Sequence, residues 1–132
     1  YGKMQIFKYN NFFEIIFNML GGKKDNKTYY SRTQYAYLPI SKEGKLGLWL
    51  LIQAWKNGKL FKLGTSITTR QFGIVFAGIH MKTQMTGGLI NHGYGINPSK
   101  DMKNSVLPNL ISECNAKGIF TPEQLAEFSK YN

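Results

Sequence analysis

The sequence predicts an α+β fold: a mostly antiparallel sheet of about four or five strands, with one N-terminal and two C-terminal helices packed on one face. Three observations carry this. Apolar runs flank Asn57-Gly58, a dipeptide suited to a two-residue type I′ hairpin because both central residues there take positive φ. Residues 29–40 (YYSRTQYAYLPI) and 72–81 (FGIVFAGIHM) are rich in aromatic and β-branched residues, as strands are. Residues 105–116, and the stretch opening at Thr121-Pro122, carry helical spacing and cap signals.

Taken in order, residues 4–8 suit a short edge strand. Asn11 with Glu14 reads as a capping box that opens a helix over 12–20, stopped by Gly21-Gly22. Lys23 to Lys27 form a polar, basic loop. The strand 29–40 ends near Pro39, and Ser41 to Lys45 turn the chain into a strand over 46–55. This strand pairs across Asn57-Gly58 with 59–65, the match continuing to Leu48 opposite Ile67. Leu48, Leu50, Ile52, Ala54, Phe61, Leu63 and Ile67 would then share a buried face. Arg32 falls on that same side, which calls for a bulge or a frayed end. The run 72–81 is read as a further strand, because its two glycines are costly in a helix interior. Residues 86–101 form a Gly/Asn-rich loop before the helical end, where Leu125 and Phe128 face inward.

At 132 residues the chain is expected to be a single domain over 1–132, with residues 1–3 a tag or processing remnant. A 42% hydrophobic and 14% aromatic content excludes disorder as the default. No apolar run approaches the roughly 18 residues of a transmembrane helix. One cysteine, Cys114, cannot form an internal disulfide and fits a reducing, cytoplasmic setting. The net charge is +11 over residues 1–100 and −1 over 101–132. A basic body with a near-neutral tail suits a polyanionic partner, nucleic acid first and an anionic membrane second.

The 46–67 hairpin would place Trp49, Trp55 and Lys62 on its second face, joined by Tyr35 and Tyr37 from the neighbouring strand. Rings stack on bases and cations neutralise phosphates, so this face, with Lys56, Lys59, Lys23 and Lys24, is the expected nucleic-acid-binding surface. The function read from it is a small, basic, non-catalytic RNA-binding or DNA-binding module that favours single strands. Two alternatives stand beside it. His80 and His92, with Arg70 and Lys82, could form a metal-independent ribonuclease or toxin site, one imidazole taking a proton while the other returns it. Or the aromatic face could dock a protein, as in a mobile-element-type inhibitor, an interaction module or a homodimer. No metal site and no cofactor is expected: second cysteines, HxH spacings, GxGxxG and GK[ST] are all missing from the sequence.

Overall fold

The computed structural model describes residues 2–66, 69–88 and 91–131. The chain runs through β1 (Gly2–Tyr9), β2 (Phe12–Met19), β3 (Gly22–Lys24), β4 (Lys27–Tyr29), β5 (Arg32–Pro39) and α1 (Lys42–Lys56). It continues through β6 (Phe61–Thr65), β7 (Phe72–Phe76), α2 (Pro98–Asp101), a π-helical turn (Met102–Val106), α3 (Leu107–Ala116) and α4 (Pro122–Tyr131). The fold is α+β with antiparallel sheets, but the strands divide into three small sheets, ordered β1-β2-β5, β3-β4 and β6-β7.

The stretch 12–20 is not a helix. Asn10 and Asn11 both take left-handed backbone angles, φ 49° and 67°, the signature of a type I′ turn. They join β1 to β2 with Tyr9 opposite Phe12. Along β2 the buried side chains Phe13, Ile15, Phe17 and Met19 alternate with half-buried Glu14, Ile16 and Asn18, which is the period of a strand. Asn11 and Glu14 therefore form no capping box, and Glu14 sits opposite Tyr37 of β5. The expected loop at Lys23 to Lys27 is a second hairpin, with Asp25 and Asn26 at φ 52° and 66°.

The hairpin expected around Asn57-Gly58 is likewise replaced, by the end of a helix. Ser41 caps α1, its Oγ accepting from the Gly44 amide at 3.0 Å. At the other end only Gly58 is left-handed, at φ 66°, while Asn57 stays at −87°. Gly58 N–H donates to the Trp55 carbonyl and Lys59 N–H to the Ala54 carbonyl, closing a Schellman motif. Gly44, Gly47, Leu50, Leu51 and Ala54 are buried at helical spacing. The glycines serve close approach. A Cβ at Gly44 would strike the Pro39 carbonyl, and one at Gly47 would lie 2.5 Å from the Met102 terminal methyl. The residue expected opposite Leu48, Ile67, lies outside the described residues.

With α1 in place of a central strand, β6 pairs only with β7 among the described residues, and the strands described there form three separate sheets. Arg32 links the two β layers instead. Its guanidinium donates to the Ile74 carbonyl and to Gln34 Oε1, each at 2.7 Å, and lies 4.9 Å from the Phe76 ring centre. The core lies between the three-stranded sheet and the helices, with Ile15, Phe17, Ala36, Leu50, Leu51, Met102, Leu110 and Cys114 among its buried members. The helical end is as the sequence suggests. Thr121 and Gln124 exchange side-chain-to-amide hydrogen bonds of 3.1 and 2.9 Å, a capping box that opens α4.

A candidate two-histidine pocket

The segment after β7 has no regular secondary structure, yet its backbone is tied down. Tyr37 N–H donates to the Lys82 carbonyl at 2.9 Å, and Thr83 N–H donates to the His92 carbonyl at 2.9 Å. This brings the two histidines of the sequence to one place. His92 has a left-handed backbone, φ 57°, and the next residue must be glycine, because a Cβ at Gly93 would run into the Thr86 carbonyl. Tyr94 then anchors the turn. It is 1% exposed, its ring lies 5.5 Å from that of Phe12, and its hydroxyl donates to the Tyr37 carbonyl at 2.7 Å. Burial pushes the Tyr94 phenol well above its ordinary value, with the charge of Asp101 adding to the shift.

Two adjoining hollows of about 150 and 520 Å³ share His80, Met81 and His92 in their walls. Lys82, Ser105 and Asn109 also face the smaller one. Among the described residues His80 is held on one side only. Its Nδ1 lies 2.7 Å from Glu113 Oε2, and its backbone N–H donates to Glu113 Oε1 at 2.8 Å. The imidazole is otherwise open, 85% exposed against 25% for Glu113, which leaves Nε2 for a ligand. A carboxylate on Nδ1 fixes the tautomer and orientation of a ring whose other nitrogen can accept a proton. Ser105 and Asn109 add a hydroxyl and an amide. They reach the pocket from a helix that widens into a π-turn just before Pro108, where proline lacks an N–H and crowds the carbonyl four residues back.

Of the residues singled out from the sequence, His80, His92 and Lys82 line this pocket, whereas Arg70 is exposed in the β6–β7 connection and does not. The aromatic–basic surface is not assembled. Trp49 is half-buried and stacks on Phe128 of α4, ring centres 5.2 Å apart. Trp55, also half-buried, packs on Phe17 and Phe61 at 5.3 and 6.2 Å. Tyr37 donates to Glu14 Oε2 at 2.9 Å, so burial and that carboxylate push its phenol up to about 12. Tyr35 is exposed on β5, while Lys23 and Lys24 lie on β3, Lys56 and Lys59 at the end of α1, and Lys62 on β6. These cations are exposed, but they sit on separate elements. The residue that sequence reasoning missed is Glu113. Its place on a predicted helix gave no hint that it would meet His80, 33 positions away. Among the described residues no three His, Cys, Asp or Glu side chains gather as a metal site, and no helix is long and apolar enough to cross a membrane.

The family model described as the Deltex C-terminal domain matches residues 2–119. Over 99 residues, 74% of this chain, the sequence is 36% identical to the E3 ubiquitin-protein ligase DTX1 of Homo sapiens, and equally to that of Mus musculus. It is 34% identical over 87 residues, 65% of this chain, to the E3 ubiquitin-protein ligase DTX4 of Mus musculus. The matched stretches span only 14%, 14% and 13% of those three relatives. These matches overturn the nucleic-acid-binding reading, for RNA and DNA alike, and agree with the inward packing of both tryptophans. They point to the protein-interaction alternative and to a protein partner.

Proposed function

The chain belongs to the Deltex C-terminal domain family, and from that membership we propose that it is a protein-interaction module of the ubiquitin pathway, with the two-histidine pocket as its working site. The observation that carries the choice of site is the His80–Glu113 pair beside His92. Relatives are named ubiquitin ligases, and ligation moves an activated acyl carbon onto a nucleophile, which must shed a proton as the bond to the activating group breaks and that group leaves. An imidazole held by a carboxylate at Nδ1, with Nε2 open to a pocket, is a suitable proton acceptor for that step. Lys82, Ser105 and Asn109 can hold polar or anionic groups of whatever enters.

The test is a titration of isotope-labelled chain with ubiquitin, and separately with a single-stranded RNA oligonucleotide. Ubiquitin should shift the signals of His80, Lys82, His92 and Asn109, and His80→Ala or Glu113→Gln should weaken the response. RNA should leave these residues unmoved. A ubiquitin response confined to the Lys23–Lys24 hairpin, or none at all, would remove the proposal.

A further inference from the structure

β1 is an open edge. Among the described residues it hydrogen-bonds β2 alone, and β2 in turn separates it from β5. Seven of its eight residues are exposed, with Ile6 at 41%, Phe7 at 48% and Tyr9 at 51%. A two-residue hairpin fixes which backbone groups are free. Tyr9 and Phe12 flank the turn as a hydrogen-bonded pair, and the pattern alternates from there. Lys3, Gln5, Phe7 and Tyr9 thus spend their N–H and C=O groups on β2. Met4, Ile6 and Lys8 turn theirs outward, where an added strand would take them up.

Charge selects what can be added. In any antiparallel register that its outward-facing residues allow, β1 beside β1 of a second copy would gather four lysines along one seam, a repulsive arrangement. No acid lies on β1 to relieve it. We propose that this edge receives an extended, acidic segment of a partner protein, which adds to the sheet as a fourth strand beside β1. The segment has acids five positions apart, opposite Lys8 and Lys3, and apolar residues between them opposite Phe7 and Ile6. Backbone pairing supplies the attraction, and the two lysines supply the selection. This surface is separate from the two-histidine pocket, so it stands or falls apart from the ubiquitin reading.

The probe is the capped peptide Asp-Val-Val-Thr-Thr-Asp, titrated into labelled chain. Saturable shifts and slowed solvent exchange are expected at the amides of Met4, Ile6 and Lys8. Proline at an outward-facing edge position removes only a free N–H, so Ile6→Pro should keep the β1–β2 pairing while weakening peptide binding at least tenfold. If Ile6→Pro disturbs the hairpin, Met4→Pro carries the same test. The double variant Lys3→Glu/Lys8→Glu should lose the acidic peptide and prefer Lys-Val-Val-Thr-Thr-Lys. Unchanged binding in the folded proline variant, shifts centred on the two-histidine pocket, or dimerisation of the chain through β1 would each overturn the proposal.

Discussion

β2 and α1 are both built largely from big apolar side chains, and both give buried residues to one core, yet one is an eight-residue strand and the other a fifteen-residue helix. The difference is set at their ends. β2 begins after two consecutive left-handed asparagines, which only a tight hairpin accommodates. α1 begins at a serine cap and ends at a single left-handed glycine. Their burial follows. β2 hides alternate residues and leaves Ile16 and Asn18 half-exposed, whereas α1 is packed from several sides, Trp49 against α4 and Trp55 against Phe17. In such runs the apolar content shows that a segment is buried, while the terminal residues decide its conformation.

That contrast can be broken by substitution. The largest effect is expected in β2. Phe17→Ala, at a position with no exposure, should cost about 3–5 kcal/mol in urea unfolding, while Leu20→Ala, 69% exposed, should cost less than about 0.5 kcal/mol. A helix over 12–20 would place both residues on one face and make their costs comparable. Smaller effects are expected at the ends of α1. Ser41→Ala removes the cap and should cost about 1 kcal/mol. Gly58→Ala should cost about 1–2 kcal/mol from the left-handed backbone alone, because nothing lies within 4 Å of the added Cβ. Were Asn57-Gly58 a hairpin turn, Ser41→Ala would leave stability unchanged.

A further effect separates the helical and sheet sides by pH. Burial first, and the nearby Glu113 second, push the Cys114 thiol on α3 from 9.0 up to about 11, while Tyr37 on β5 rises from 10.0 to about 12. A folded state that holds its proton longer keeps that contribution in full below the unfolded value, and loses it as pH climbs toward the folded one. Stability should therefore begin to fall near pH 9 on account of Cys114, and further from about pH 10 on account of Tyr37 and Tyr94. In Cys114→Ala the onset should move from about pH 9 to about pH 10, read from chemical denaturation along a pH series. An onset that stays at pH 9 would mean that the thiol is not the group responsible.

Much of the fold was legible where a local signal had a single meaning. The capping box at Thr121 and Gln124, the strand around Arg32–Pro39 and the edge strand β1 all rest on such signals. Asn57-Gly58 had two meanings, since a left-handed glycine closes a helix as readily as a hairpin. Asn11 also had two meanings, since an asparagine suits a helix cap as well as the left-handed position of a tight turn. The candidate site was half legible. His80 and His92 could be picked out by their scarcity, but Glu113 could not be joined to them, because no local pattern encodes a contact across 33 positions.

Local chemistry in the chain determined that there would be tight turns, capped C-terminal helices, an apolar core and a strongly basic balance, since each depends on neighbours in sequence. Tertiary packing decided which apolar run became helix and which became strand, and it turned both tryptophans toward other rings. It also decided that His80 would meet Glu113 beside His92. Those outcomes depend on which surfaces bury one another, and that is a property of the assembled layers rather than of any single segment.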